Sequence, residues 1–291
     1  MTTNTQIHFD SLLPPEMAAR AEQVGVRKAH LDIVTLFILG VLAGAFIAMG
    51  AIFATTVSTG SASELPFGVT RLLAGLVFSL GLILVIVGGA ELFTGNNLIV
   101  MAWASRQVTT INLLRNWTIV YIGNFVGSIL TAAIVFLSGQ YRFAGGEIGR
   151  VALGIADGKL GFTFGQAIAL GILCNALVCL AVWLTMSART TTDRILAIVP
   201  PIAAFVAAVF EHSVANMYFI PMGIIIKSFA PDSFWASIGQ TPLDYADLTW
   251  SAFITANLIP VTIGNIIGGT IFVGLVYWFI YLLKKAHLRA A

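Results

Sequence analysis

With 291 residues, 58% of them hydrophobic and only 10% charged, the chain is too apolar for a soluble domain and is expected to be an integral membrane protein. A net charge of +2 without any Lys/Arg block excludes a nucleic-acid binder. Cys174 and Cys179 share one apolar segment and point to different faces of a helix five residues apart, so no disulfide is expected.

Ser11-Leu-Leu-Pro-Pro-Glu16 has the marks of a helix start, since proline suits a first turn and Glu16 the positive end of the dipole. Residues 14–26 are predicted to form a short amphipathic helix outside the bilayer, with Met17, Ala21 and Val24 on one face. No secretory signal is expected, because the first 30 residues lack a basic start followed by an apolar run. Charges then mark off the spans. Residues 33–63 carry none and give the first span, and 64–68 make a turn. Residues 72–90 are apolar, Glu91 interrupts, and 92–105 resume. Residues 116–141 are the third span, 142–159 a Gly-rich loop of mixed charge, and 160–188 the fourth span.

The fifth element is broken. Its apolar flanks, 195–210 and 214–226, are each shorter than the ~20 residues a continuous span needs, and Glu211, His212, Ser213 and Asn216 lie in or beside the break. Freed backbone at that depth has to line something other than lipid, and ionisable groups there mark a pathway. A loop over 229–247 and a sixth span over 248–283 complete the chain. The domains are therefore an N-terminal amphipathic helix (1–30), a six-helix transmembrane pore (31–285) and a C-terminal tail (286–291). Ten Lys/Arg on one side against five on the other put both termini in the cytoplasm.

The halves repeat. Leu39-Gly-Val-Leu42 matches Leu170-Gly-Ile-Leu173, Glu91 with Asn96 matches Glu211 with Asn216, and Ile122-Gly-Asn124-Phe-Val-Gly127 matches Ile263-Gly-Asn265-Ile-Ile-Gly268. Three spans per half force the second half to enter from the opposite side. The fold class is all-α integral membrane, an inverted 3+3 repeat whose broken second and fifth elements meet at the substrate site.

His212 is the only histidine inside an apolar segment, and its pKa range permits proton exchange near neutrality. Two readings stand for Glu91 and Glu211: capping freed backbone N–H groups at the breaks, or touching substrate. Asn96, Asn124, Asn175, Asn216 and Asn265 are props for the broken backbone, and the GN-x-x-G glycines let helices approach. Phe78, Leu82, Leu92, Phe93 and Phe205 are either core and lipid-facing residues or apolar constrictions. No HExxH, CxxC or GxSxG motif is present, so no metal and no cofactor is expected, and an intramembrane enzyme is the remote alternative.

Three longer motifs go further: Gly88-Gly-Ala-Glu-Leu-Phe-Thr-Gly95, Phe210-Glu-His-Ser-Val-Ala-Asn-Met217 with Ile220-Pro-Met-Gly223, and Asn257-Leu-Ile-Pro-Val-Thr-Ile-Gly-Asn-Ile-Ile-Gly-Gly269. Through them, and over nearly the whole chain, the sequence resembles the formate–nitrite transporter family, most of all its formate-channel branch. The resemblance implies an aquaporin-like fold and a homopentamer in the bacterial inner membrane, with one pore per protomer that passes formate or related small anions. It implies that Thr94 faces His212, that Phe78 and Phe205 form the outer constriction and Leu82, Leu92 and Phe93 the inner one. Lys159 would stand in the outer vestibule, with Asn175 and Asn265 as supporting amides. Nitrite and hydrosulfide are the alternative substrates. On this reading His212 lends a proton to the passing anion, Thr94 orients it, and Glu211 holds the second break in shape.

Overall fold

The structure is a computed structural model and describes residues 10–61 and 64–283. Lys284, Lys285 and the expected tail at 286–291 lie outside the described residues. All regular structure among the described residues is helical. Four helices are long and apolar enough to cross a bilayer: α2 (Ile33–Ser58), α3 (Phe67–Gly88), α6 (Thr110–Leu137) and α8 (Phe164–Ser187). So is the final stretch, Pro242–Leu283, whose span over residues 250–283 mixes α and π turns. The fifth element is two helices of 17 residues, α9 (Thr191–Ala207) and α10 (Ser213–Phe229), neither reaching the ~20 residues of a full crossing.

The starts follow local chemistry. Asp32 accepts the Thr35 N–H at 2.9 Å to cap α2, and Thr163 and Thr190 cap α8 and α9, each with an acidic or amide partner three residues on. Helix α1 (Pro14–Ala29) forms as expected and runs three residues further, with Arg27 and Lys28 at its negative end. It buries Met17, Ala18, Ala21, Gly25 and Ala29 against the end of the bundle. Among the described residues, that face of the molecule also carries the α8–α9 link.

Three expectations change. The segment 142–159 is not a plain loop: Gly145 and Gly146 take left-handed φ of 68° and 93° and release the chain into α7 (Glu147–Gly158). The apolar positions Ala152, Leu153 and Ala156 bury one face of it. The segment 229–247 likewise contains α11 (Asp232–Ile238). The fifth break also lies earlier than the apolar flanks implied, spanning 208–212, so Ser213 and Asn216 belong to α10.

Helix α2 packs on α3 and α6, and α8 packs on α9 and the last span in the same way. The glycines explain how close they come. A Cβ on Gly40 would lie 3.2 Å from Gly123 Cα, and one on Gly171 would lie 3.2 Å from Gly264 Cα. The two halves thus use one helix contact twice, at matched positions of the repeat.

Candidate functional site

Each broken element ends its first half in a left-handed residue. At the first break this is Gly89, φ 81°; at the second it is Val209, φ 59°. The chain is then non-helical through residues 90–92 and 210–212, extended at Leu92 and His212, before helix resumes at α4 (Phe93–Asn96) and at α10. Helix α4 continues through a tight turn at Asn97–Ile99 into α5 (Val100–Ala104).

Freed backbone at both breaks is satisfied by asparagine. Asn124 Oδ1 accepts the Phe93 N–H at 2.9 Å, while its Nδ2 donates to the Gly40 and Glu91 carbonyls at 2.8 and 2.9 Å. Asn265 does the same for the Ser213 N–H (2.9 Å) and the Gly171 and Glu211 carbonyls (2.8 and 3.0 Å). The carboxylates therefore do not cap backbone N–H groups, which corrects that reading of Glu91 and Glu211: the shorter asparagine already fills the place. Instead Glu91 accepts Asn96 Nδ2 at 2.7 Å and Lys28 Nζ at 3.1 Å. Glu211 accepts Asn216 Nδ2 and Lys159 Nζ, both at 2.7 Å. Asn116 and Asn257 complete the two nodes, taking the Asn96 and Asn216 amides at 2.9 and 2.7 Å. They also donate to the carbonyls of Lys28 and Lys159.

Lys28, Asn116 and Asn257 were not picked out from the sequence. The signal was present: Lys28 precedes Lys159 by the same 131 positions that separate Leu39 from Leu170. Asn116 precedes Asn257 by the interval between Asn124 and Asn265.

At the centre the mirror fails. His212 stands where the first half has Leu92, and Thr94 where the second has Val214. His212 Nε2 is 2.9 Å from Thr94 Oγ1. Its Nδ1 accepts the Ala215 N–H at 3.0 Å. A backbone N–H is an obligate donor, so in the neutral ring the proton sits on Nε2 and is donated to Thr94. Thr94 and His212 are buried. The Thr94 carbonyl accepts from Asn175 Nδ2 and Cys179 Sγ, both at 3.3 Å, and Asn175 reaches on to the Asn265 carbonyl at 2.6 Å.

Cavities approach this centre from both ends. One, of about 300 Å³, opens beside α1 and is lined by Arg20, Arg27, Lys28, Arg194, Leu82 and Leu92. Burial and the nearby Arg194, Arg189 and Arg27 lower the Arg20 guanidinium from its ordinary pKa. The other, of about 560 Å³, opens on the opposite face and is lined by Arg71, Phe78, Lys159, Phe205, Glu211 and His212. Over His212 the Phe205 ring stacks at 5.9 Å, Phe78 meets Phe205 edge-on at 5.7 Å, and Phe78 stacks on Phe219 at 6.5 Å. Lys159 Nζ lies 5.4 Å above Phe219. Phe93 is the exception among the expected constriction residues. Its ring packs against Tyr121 and Trp117 at 4.8 and 6.2 Å and faces a third, apolar cavity away from the other two.

The sequence profile described as formate/nitrite transporter matches residues 15–279. The chain belongs to that family. Within it, the chain is 50% identical to the formate channel FocA of Escherichia coli K12 over 96% of its own length and 98% of the relative. It is 45% identical to the FocA of Haemophilus influenzae over 98% and 99%. Among solved structures, a pentameric formate channel with formate bound superposes with a TM-score of 0.82 at 51% identity, covering 86% of this chain and 98% of that one. An ion channel of the formate/nitrite transporter family gives 0.76 at 27% identity, over 91% and 98%. Family membership fixes the class as a transporter and removes the intramembrane enzyme.

Proposed function

We propose that this chain conducts formate across a bacterial inner membrane, through one pore in each protomer of a homopentamer. The observation that carries the reading is the pair of cation-bearing cavities that converge on Thr94 and His212 behind buried apolar side chains. Full-length relatives that are formate channels, one of them solved as a pentamer, support the substrate and the assembly. Both termini face the cytoplasm on this reading, as the Lys/Arg asymmetry favours.

A carboxylate enters a cavity drawn by its lysine: Lys28 on the α1 side, Lys159 on the other. The half-helix N-termini at Phe93 and Ser213 add positive potential toward the centre. Moving the bare ion past Leu82 and Leu92, or past Phe78 and Phe205, costs tens of kcal/mol in the idealised limit. Protonating an acid of pKa near 4 at pH 7 costs about 4 kcal/mol, at roughly 1.4 per unit. The neutral acid is the cheaper passenger.

The histidine assists that protonation within a limit set by its bonds. With Nδ1 occupied by the Ala215 N–H, imidazolium would set two donors face to face. Release of the Nε2 proton from the neutral ring would leave imidazolate. His212 therefore works best as a fixed Nε2–H donor that turns the Thr94 hydroxyl proton toward the substrate, while the proton taken up by formate arrives through the cavity. Leu82 and Leu92 form the inner ring, and Phe93 supports it from behind.

Uptake into liposomes carrying a pH-sensitive dye, run with formate, nitrite and hydrosulfide from pH 5 to 8, tests the reading. Formate should be taken up electroneutrally and faster at lower pH, and His212→Phe, which removes the Nε2 donor, should slow that uptake at every pH. Faster passage of nitrite or hydrosulfide would overturn the choice of formate. Normal uptake by His212→Phe would remove the role of the Nε2 donor. Impermeant thiol labelling of Ser187→Cys from outside intact cells, with Ser233→Cys protected, would reverse the topology.

A further inference from the structure

The cavity away from α1 contains two cations, and the nodes described above employ only one. Lys159 is paired with Glu211. Arg71 lies one turn into α3, half-buried in an apolar span, where a charge is expensive and is kept for a reason. One reason is visible: Arg71 Nη2 donates to the Val206 carbonyl at 2.8 Å, close to the C-terminal end of α9 where carbonyls lack helical partners. That task needs one donor. The Arg71 Nε–H is buried without a hydrogen-bond partner, in a group that lines the cavity. A buried donor left unpaired is costly, and structures normally supply it with a protein group, water or ligand.

The other broken element also carries an arginine, three residues beyond Thr191, the position that the repeat equates with Arg71. Arg194 lies one turn into α9, the first half of the other broken element, and lines the cavity beside α1. Neither arginine has a carboxylate partner among the described residues. The two vestibules are thus built alike: a lysine tied to a glutamate on the break, and an arginine on the helix leading to it.

We propose that Arg71 is a substrate-capture residue for small planar carboxylates entering from the face opposite α1, with Arg194 its counterpart on the α1 side. The edge of the Arg71 guanidinium that lines the cavity takes the carboxylate before it reaches the Phe78–Phe205 ring. A guanidinium suits this task because its planar fork matches two carboxylate oxygens, whereas an ammonium offers only point charge. The inference rests on the transport reading above.

Right-side-out and inverted membrane vesicles from cells expressing the full chain present opposite faces to labelled formate. In the orientation that exposes the Arg71 cavity, Arg71→Gln should raise the half-saturating formate concentration about tenfold, as loss of a charge-assisted bond implies. The maximal rate and its pH dependence should stay near those of the unaltered chain. Arg194→Gln should produce its rise in the other orientation. Arg71→Lys keeps the charge without the fork, should recover less than half of the loss, and carries the test if Arg71→Gln fails to assemble. An unaltered chain that passes no formate sinks the transport reading and the capture role together. If the unaltered chain conducts and Arg71→Gln saturates within about twofold of it, capture alone is overturned and Arg71 is only a cap for Val206. Full recovery by Arg71→Lys overturns recognition by the fork.

Discussion

Replacing Asn265 with leucine removes an amide of similar volume and tests how the second break is held. Asn265 is fully buried, accepts one backbone N–H and donates to two carbonyls. Leucine leaves all three groups without that partner and too deep for water. Each buried orphan costs about 1–3 kcal/mol. The Gly171 carbonyl lies within α8 and both carbonyls have a second lone pair, so the lower end applies, about 3 kcal/mol in all. For a chain of this size that corresponds to a fall in melting temperature of roughly 6 °C or more, read by scanning fluorimetry on the purified assembly in detergent. Asn265→Asp sharpens the test. It keeps the acceptor for Ser213 but sets an oxygen against both carbonyls, and should be at least as damaging as leucine. A leucine variant that melts within about 2 °C of the unaltered protein, or an aspartate variant milder than leucine, would refute the account. The mirrored change Asn124→Leu should give a similar fall, since it orphans the Phe93 N–H and the Gly40 and Glu91 carbonyls.

Val209 is a β-branched residue in left-handed backbone, and the equivalent position of the first half is glycine. Val209→Gly should stabilise the fold by about 1 kcal/mol through relief of that strain, seen as a rise in melting temperature; a fall would show that the side chain's packing outweighs it. Lys28→Met leaves Glu91 buried without its cation, and should lower the melting temperature more than the pair substitution Lys28→Met with Glu91→Gln. Hydrogen bonds from Thr190 and Arg189 hold the Asp193 carboxyl below the usual carboxylate range. Because the folded pKa is depressed, its contribution is complete above the unfolded value near 4 and is lost as pH falls through the folded one. The stability gap between the protein and Asp193→Asn should therefore be present at pH 7 and close in strong acid, which melting curves against pH will show.

Much of this arrangement was legible in the chain because membrane burial imposes coarse rules on sequence. Charge-free stretches mark the spans, and the Glu-to-Asn spacing of five marks both breaks. The repeat was read only where hydrophobic runs made it conspicuous. In the amphipathic and Gly-rich segments no apolar run signals it, so α7 reads as a loop from sequence although it corresponds to α1. Lys28 was hidden for the same reason: a lysine at a helix C-terminus is ordinary until its mirror is known to face a glutamate. The function of the carboxylates was misjudged for want of geometry. From sequence, Glu and Asn near a break compete equally for the freed N–H groups, and only the distances give that task to Asn124 and Asn265. The aim of Phe93 was illegible as well, since neighbours in a broken helix point apart by angles that sequence does not specify.

The Asn175 side chain joins Thr94, beside the first break, to the Asn265 backbone that supports the second. Its position in the repeat is held in the first half by Gly44, which has no side chain to make such a link. Among the described residues this crossbeam has no mirror image, where strict symmetry would give two. A strut of this kind transmits load. Movement that parts Thr94 from the Asn265 backbone has to stretch it, so it adds to the Thr94–His212 bond in holding the two breaks together. On the transport reading proposed above, a passing molecule is accommodated by rotation of the surrounding rings and leucines, while the hydroxyl–imidazole pair stays held by its own bonds.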